Sequence, residues 1–343
     1  MAQGRSLVAY ALTRTALAAP MLLILLTALF FILRVLPGDP VLALWGGHTP
    51  PPAVVENARR ELGLDQPPWT QYWNYMTNVF QGKLGTSIGE TYRGRPVWDE
   101  IAFRLPATIE LSIGSMIVAS VIGIGLGTFA GARRDTKIDV AIRLYGTVIW
   151  VIPIFWLGLI FQLVFGVWLR WLPTSGRWIG SDVPVRVTGL YTIDAALEGN
   201  FAHLGKAVAH LVLPCLTLGL VLSGFFTKTV RASMLQTVVA DYSDAARARG
   251  VPERRVVYGH AFRNALVPVV TVLGLQFAIL FAGAVLTEKT FSIEGIGKLL
   301  LNSITSKDMT MIQGVVVVYA TIIVGVSLII DVLGATIDPR IRL

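Results

Sequence analysis

The sequence predicts an all-α membrane protein with six transmembrane helices and a small exterior domain between the first and the second. Three observations carry this reading. Six runs of at least 19 residues contain no Asp, Glu, Lys or Arg. Only 15% of the 343 residues are charged, against about 25% in a soluble globular domain, and mean hydropathy is +0.65. The net charge of +8 also falls on one side of the resulting topology, as counted below.

The six runs are Thr15–Leu33, Leu111–Ala132, Leu144–Leu169, Ala207–Thr227, Asn264–Thr287 and Met309–Ile330, of 19, 22, 26, 21, 24 and 22 residues. At about 1.5 Å rise per residue each can cross a hydrocarbon core about 30 Å thick. Open-edged sheets cannot span lipid, so the runs are helices. The first is too long for the apolar region of a secretory signal, and Arg34-Val35-Leu36-Pro37-Gly38 offers no small-residue cleavage site. It is expected to remain as a permanent helix. Pro153 and Pro214 sit within the third and fourth runs and are placed to kink them.

Six spans put both termini on one side, and charge says which. With that side cytoplasmic, the inner segments are the N-terminus with Arg5 and Arg14, a loop from Arg133 to Arg143, a longer segment from Lys228 to Arg263, and the tail. Together they hold fifteen basic and seven acidic residues, while the remaining segments hold fourteen of each. The whole excess therefore lies on one face, the pattern of a multi-pass protein with cytoplasmic termini. The basic character reports topology, and no nucleic-acid partner is expected.

Three outer segments follow from the same topology. The first, Arg34 to Arg104, contains Pro37-Gly38-Asp39-Pro40, a predicted helix over Pro52 to Leu62, and an aromatic helix through Trp69, Tyr72, Trp73, Tyr75 and Phe80. The second, Arg170 to Lys206, opens with Arg170-Trp171-Leu172-Pro173-Thr174-Ser175-Gly176, a turn with aromatic residues at interface depth. The third, Glu288 to Asp308, is expected to hold a short helix.

Within the spans, Gly123, Gly127 and Gly131 stand four apart, with Gly114 and Gly125 in the same run, a spacing that lets helices approach closely. Chemistry is sparse. No G-x-x-x-x-G-K-[ST] loop occurs, so the chain lacks a P-loop phosphate cradle. His48, His203, His210 and His260 are scattered, and the pair His203 and His210 falls short of a metal set. Cys215 is the single cysteine, which excludes an internal disulfide framework and a multi-Cys metal site. No carboxylate or Lys stands mid-span where a proton relay would need one. The chain reads as non-catalytic, with no cofactor or metal site of its own.

The most informative polar stretch is Asp241 to Pro268. Asp241 is placed to cap a short helix, with Asp244 answering it three residues on. Ala245, Ala246 and Ala248 are strong helix formers of almost no bulk. Gly250 suits the left-handed residue that closes a helix, and Pro252 the first turn of the next. The expectation is two short helices joined by a tight bend. Such a knuckle can seat in a groove on another protein, with Arg247 and Arg249 facing acidic groups at its rim. The residues alone leave open an ordinary basic loop between spans.

Asp244-Ala245-Ala246-x-x-x-Gly250 resembles the acidic-Ala-Ala-x-x-x-Gly motif of permease subunits in ATP-binding-cassette importers. Further stretches resemble the branch of that family serving dipeptides, oligopeptides and nickel. They are Leu36-Pro37-Gly38-Asp39-Pro40, Leu62-Gly63-Leu64-Asp65-Gln66-Pro67, Leu84-Gly85-Thr86-Ser87, Leu105-Pro106-Ala107-Thr108-Ile109-Glu110-Leu111, Leu172-Pro173-Thr174-Ser175-Gly176, His260 to Pro268 and Asp338-Pro339-Arg340-Ile341-Arg342. Two departures stand out. Ser243-Asp244 replaces the branch's usual apolar residue followed by Arg, and Gln81-Gly82-Lys83 stands where Gly-Asp is common before Leu-Gly.

The resemblance implies the type I ABC importer permease fold in a prokaryotic plasma (inner) membrane. Residues 1–33 would be the N-terminus and first span, 34–104 the exterior domain and 105–343 the core permease domain. A coupling helix at about 241–250 would dock into the ATPase through Asp244, Ala245, Ala246, Arg247, Arg249 and Gly250. The implied partners are a second, related permease subunit in a heterodimer, two ATPase subunits that bind the ATP and Mg, an extracytoplasmic solute-binding protein, and membrane lipid. Transport would proceed by alternating access. The expected cargo is peptide, with oligosaccharides, nickel or other small solutes as alternatives on the same machinery. A secondary transporter or channel, or a membrane-embedded enzyme or assembly factor, would instead work without any ATPase.

Overall fold

The computed structural model describes residues 7–34, 51–61 and 63–337. Arg5, Pro37-Gly38-Asp39-Pro40, Leu62 and the tail motif Asp338 to Arg342 fall outside the described residues. Among the described residues the regular structure is helical, apart from one isolated antiparallel bridge between Thr86 and Pro96.

In chain order the helices are α1 (Leu7–Arg34), α2 (Pro52–Glu61), α3 (Pro68–Phe80), α4 (Val97–Ala132), α5 (Lys137–Val151) and α6 (Ile154–Phe161), the last continued by a π-helical turn over Gln162–Trp168. After α7 (Tyr191–Leu197) come the long α8 (Phe201–Val238) and the short α9 (Asp241–Ala248). A single turn over Glu253–Arg255 and a π-helical stretch over Val256–Ala261 lead into α10 (Phe262–Thr290), followed by α11 (Ile296–Thr305) and α12 (Met309–Ile337). Helices α2 and α3 match the two expected in the exterior segment, and α11 the one expected in the third outer segment.

Among the described residues, four helices are long and apolar enough to cross a membrane: α1, α4, α8 and α12. The bent pair α5 and α6 makes a fifth if counted as one span. The third predicted run, Leu144–Leu169, is therefore not one straight helix. It breaks at Ile152-Pro153 with a bend of 100°. Ile152 is driven to an extended backbone (φ −66°, ψ 127°) by the proline ring that follows it, and Pro153 starts the next helix without needing an N–H partner. Pro214 acts differently, because the 38-residue α8 continues through it. The fifth predicted run lies within the 29-residue α10.

The described residues group into two compact units. One holds residues 12–34, 51–61, 63–105 and 296–325. Here Phe30 of α1 meets Tyr72 of α3 edge-on at 5.4 Å and stacks on Tyr75 at 5.7 Å. Leu26, Leu29, Met76 and Val317 form the core beside them. The Leu84-Gly85-Thr86-Ser87 motif has a structural role in this unit. Ser87 Oγ donates to Asp308 Oδ2 at 2.5 Å, while Asp308 Oδ1 accepts from Met311 N at 3.0 Å and so caps α12.

The other unit holds residues 7–11, 106–295 and 326–337, with α8 at its centre. Phe226, Val230 and Met234 of α8 lie against Gly123, Gly127 and Gly131 of α4. A Cβ on Gly127 would stand 2.7 Å from the Val230 Cβ, and on Gly123 and Gly131 it would collide with Phe226 and Met234. The four-residue glycine spacing is thus a groove for side chains at the same spacing. In lipid, helices are held by such dispersion contacts and by polar bonds rather than by water expulsion. An adjoining flank of α8 is bonded to α5. Tyr145 and Ser223 share a hydrogen bond of 2.6 Å, and Arg231 donates to both oxygens of fully buried Asp139 at 2.6 and 2.8 Å.

The outer segment 170–206 is tied down by buried carboxylates. Glu110 accepts from Arg177 at 2.6 Å and from the Thr192 amide and hydroxyl at 2.7 and 2.5 Å. Asp194 accepts from the Thr188 amide and hydroxyl, both at 2.7 Å, and from Gly189 N at 2.9 Å. Burial would raise the Asp194 carboxyl, yet these bonds from Thr188 and Gly189 hold it below the ordinary range. The Leu172-Pro173-Thr174-Ser175-Gly176 turn is seated by backbone bonds: Gln162 Nε2 donates to Thr174 O at 2.7 Å, and Gly176 N to Phe291 O at 2.7 Å.

Candidate functional site

The predicted knuckle is a short helix hung from the C-terminal end of α8. Val239 closes α8, and Ala240 turns extended (φ −78°, ψ 151°) before α9 begins. The N-cap is therefore Ala240, without a side-chain cap, and not Asp241. Asp241 and Asp244 both lie in the first turn of α9, where a negative charge suits the helix dipole. The expected capping box gives way because Ser243 holds the entry. It is fully buried, its hydroxyl donates to Thr237 O at 2.8 Å, and its amide donates to Ala240 O at 2.8 Å.

The far end of α9 closes as the composition predicted. Gly250 takes φ 78°, Gly250 N donates to Arg247 O at 2.9 Å, and Val251 N donates to Ala246 O at 3.2 Å. This is a Schellman closure, which favours glycine at the left-handed position. Pro252 follows in extended backbone and opens the turn Glu253–Arg255.

The two arginines assigned to the rim are placed differently. Arg247 folds back. It donates to Asp244 Oδ1 at 2.7 Å, to the two Glu253 oxygens at 2.9 and 3.0 Å, and to Val238 O at 3.1 Å. Glu253 and Asp244 raise its already high pKa, and Arg247 in turn lowers that of Glu253. Each exposed pair is weak alone, but one guanidinium joins three segments of the bend. Arg249 points outward and makes no ion pair among the described residues. Ala246 faces inward at 9% exposure, while Asp244, Ala245, Ala248 and Gly250 are exposed.

The π-helical stretch 256–261 was not foreseen from the sequence. It swings His260 and Asn264 beside α9, where they line a recess of about 330 Å³ with Tyr242, Ala245, Ala246 and Arg249. Val256 and Val257 are buried on its inner side. The remaining histidines have separate partners: His203 Nδ1 lies 2.9 Å from Glu198, and His210 Nδ1 lies 2.8 Å from Lys206 O. Among the described residues no group of three His, Cys, Asp or Glu side chains is placed to hold a metal ion.

The chain matches two family descriptions along most of its length. Residues 123–343 match the binding-protein-dependent transport system inner membrane component, and residues 7–112 match the N-terminal part of such membrane components. It is 38% identical over 336 residues to a dipeptide transport system permease protein of Alkalihalophilus pseudofirmus, covering 98% of this chain and 100% of that protein. It is 41% identical over 315 residues to a probable D,D-dipeptide transport system permease protein of Escherichia coli, covering 91% of each. A glutathione transport system permease protein of Pectobacterium atrosepticum is 36% identical over 326 residues, covering 94% of this chain and 95% of that protein. This multi-pass chain, with its helical knuckle on the basic face, belongs to the inner-membrane component family of binding-protein-dependent transport systems, the permease subunits of ATP-binding-cassette importers.

Proposed function

We propose that this chain carries peptides across the plasma (inner) membrane of a prokaryote, as one half of a permease pair driven by partner ATPases. The observation that carries the reading is the knuckle: a short helix showing small side chains outward, bolted by Ser243 and Arg247 to the end of the longest helix. Peptide is the cargo because dipeptide and glutathione permeases are among the relatives. The chain crosses the membrane six times with both termini cytoplasmic, and the exterior helices α2 and α3 face the solute-binding protein.

In this reading Asp244, Ala245, Ala246, Arg247, Arg249 and Gly250 couple the bundle to one ATPase subunit, and a related permease offers the same surface to the other. ATP and Mg are bound and hydrolysed by the ATPase subunits, and this chain holds neither. Closure of the ATPases moves the knuckles, the bundle opens outward to receive peptide from the binding protein, and hydrolysis resets it inward. The test is reconstitution of both permeases and both ATPases in proteoliposomes, with a labelled dipeptide loaded on the binding protein. Saturable uptake that needs ATP is expected. Uptake by this chain without an ATPase would contradict the proposal.

A further inference from the structure

The recess beside α9 joins two stretches that are separate in the sequence. Tyr242, Ala245, Ala246 and Arg249 come from the knuckle, and His260 and Asn264 from the π-helical stretch and the start of α10. Asn264 is steadied by a 3.0 Å bond from its Nδ2 to His260 O. The floor is the two alanines. The walls present a guanidinium, an imidazole, a carboxamide and a phenol, and no carboxylate lines the recess.

Charge in this segment is unevenly spent. From Lys228 to Arg263 there are seven basic and three acidic residues. Arg247 occupies two of the three carboxylates, Asp244 and Glu253. Arg249, in the recess, has no ion pair among the described residues. A cation beside further hydrogen-bond donors, with no carboxylate in the recess, favours an anionic group that enters it, because bonds between charged partners are the stronger ones.

We infer that this recess seats an acidic side chain, Asp or Glu, of the partner ATPase subunit, with Arg249 as its principal cation and His260 and Asn264 as flanking contacts. The inference rests on the knuckle being the ATPase-docking element, and it adds which arginine bonds across the interface and to what chemistry. Arg247 has the opposite role, holding the bend in shape from within. Knuckle and recess then grip the ATPase together, the helix as a projection and the recess as a socket.

The test uses the full importer in proteoliposomes, scored for ATPase subunits retained on the tagged permease and for ATP-driven dipeptide uptake. R249E is expected to reduce retention by at least about tenfold, as for loss of one member of an interfacial charge pair, and R249K is expected to keep most of it. In R249C, the folded complex is then treated with a thiol reagent that adds either a positive or a negative group. The native Cys215 is buried, so within this chain the label reports position 249, and the same treatment of the complex without R249C gives the contribution of the partner subunits. Restoration by the positive group alone supports the seat. Equal behaviour with both groups, or wild-type retention in R249E, overturns it. A245R separates the two readings: if it blocks retention while R249E does not, docking stands and the carboxylate seat fails. If neither variant changes retention, the docking reading fails as well.

Discussion

The 170–206 segment and the α9 knuckle handle carboxylates in opposite ways. Around the 170–206 segment, Glu110 and Asp194 are buried, each accepting three hydrogen bonds from that segment. At the knuckle, Asp244 and Glu253 are about two-thirds exposed and share one guanidinium. A buried carboxylate costs several kcal/mol unless every lone pair is met, so such groups define one geometry and resist change. An exposed network costs little to rearrange. The chain therefore fixes the 170–206 segment and leaves the knuckle available for handling by another molecule.

That contrast breaks first, and most severely, at Ala245. A245R places a long cation on the exposed face of α9, beside a recess that no described residue fills. ATP-driven uptake should fall to background while membrane insertion and the unfolding midpoint stay at wild-type values, as read by uptake assay and thermal unfolding of the purified permease chain. Arg177 should do the reverse. R177M leaves Glu110 buried without its cation and should cost about 3–5 kcal/mol, seen as a large drop in unfolding midpoint. Complexes that survive should still couple hydrolysis to uptake.

Two smaller changes sharpen the comparison. G127L forces a side chain into the space held by Val230 and should cost about 1–3 kcal/mol, the range for overpacking. It should also weaken the α4–α8 contact, measured as faster hydrogen exchange along both helices. G250A meets nothing within 4 Å, so only its left-handed backbone is penalised, by about 1–2 kcal/mol. It should fray the end of α9 and lower uptake a few-fold without changing the stability of the outer segment.

Much of this arrangement was legible in the residues. The uncharged runs located the long helices, the Gly123, Gly127 and Gly131 spacing announced close packing, and Gly250 marked the closure of α9. What stayed hidden depends on contacts distant in sequence. The capping role expected of Asp241 belongs to the backbone at Ala240, because Ser243 is drawn to Thr237 at the end of the preceding helix. Arg247 and Arg249 look alike two residues apart, and it is Arg247 that turns inward, to Asp244, to Val238 at the end of α8 and to Glu253 across the bend. The 100° break at Pro153 needed more than the proline, since Pro214 leaves α8 continuous. Glu110 reads as a charge that ends an apolar run, and its burial appears only when Arg177 and Thr192 arrive from 67 and 82 residues away.

Photo-cross-linking from position 245 in the reconstituted importer asks the central question in one step. With a photoreactive residue replacing Ala245, irradiation should yield an adduct of this chain with an ATPase subunit, and the same residue at the 84% exposed Phe201, at the other end of α8, should yield none. An importer that transports peptide at the wild-type rate yet gives no ATPase adduct from position 245 would contradict the account.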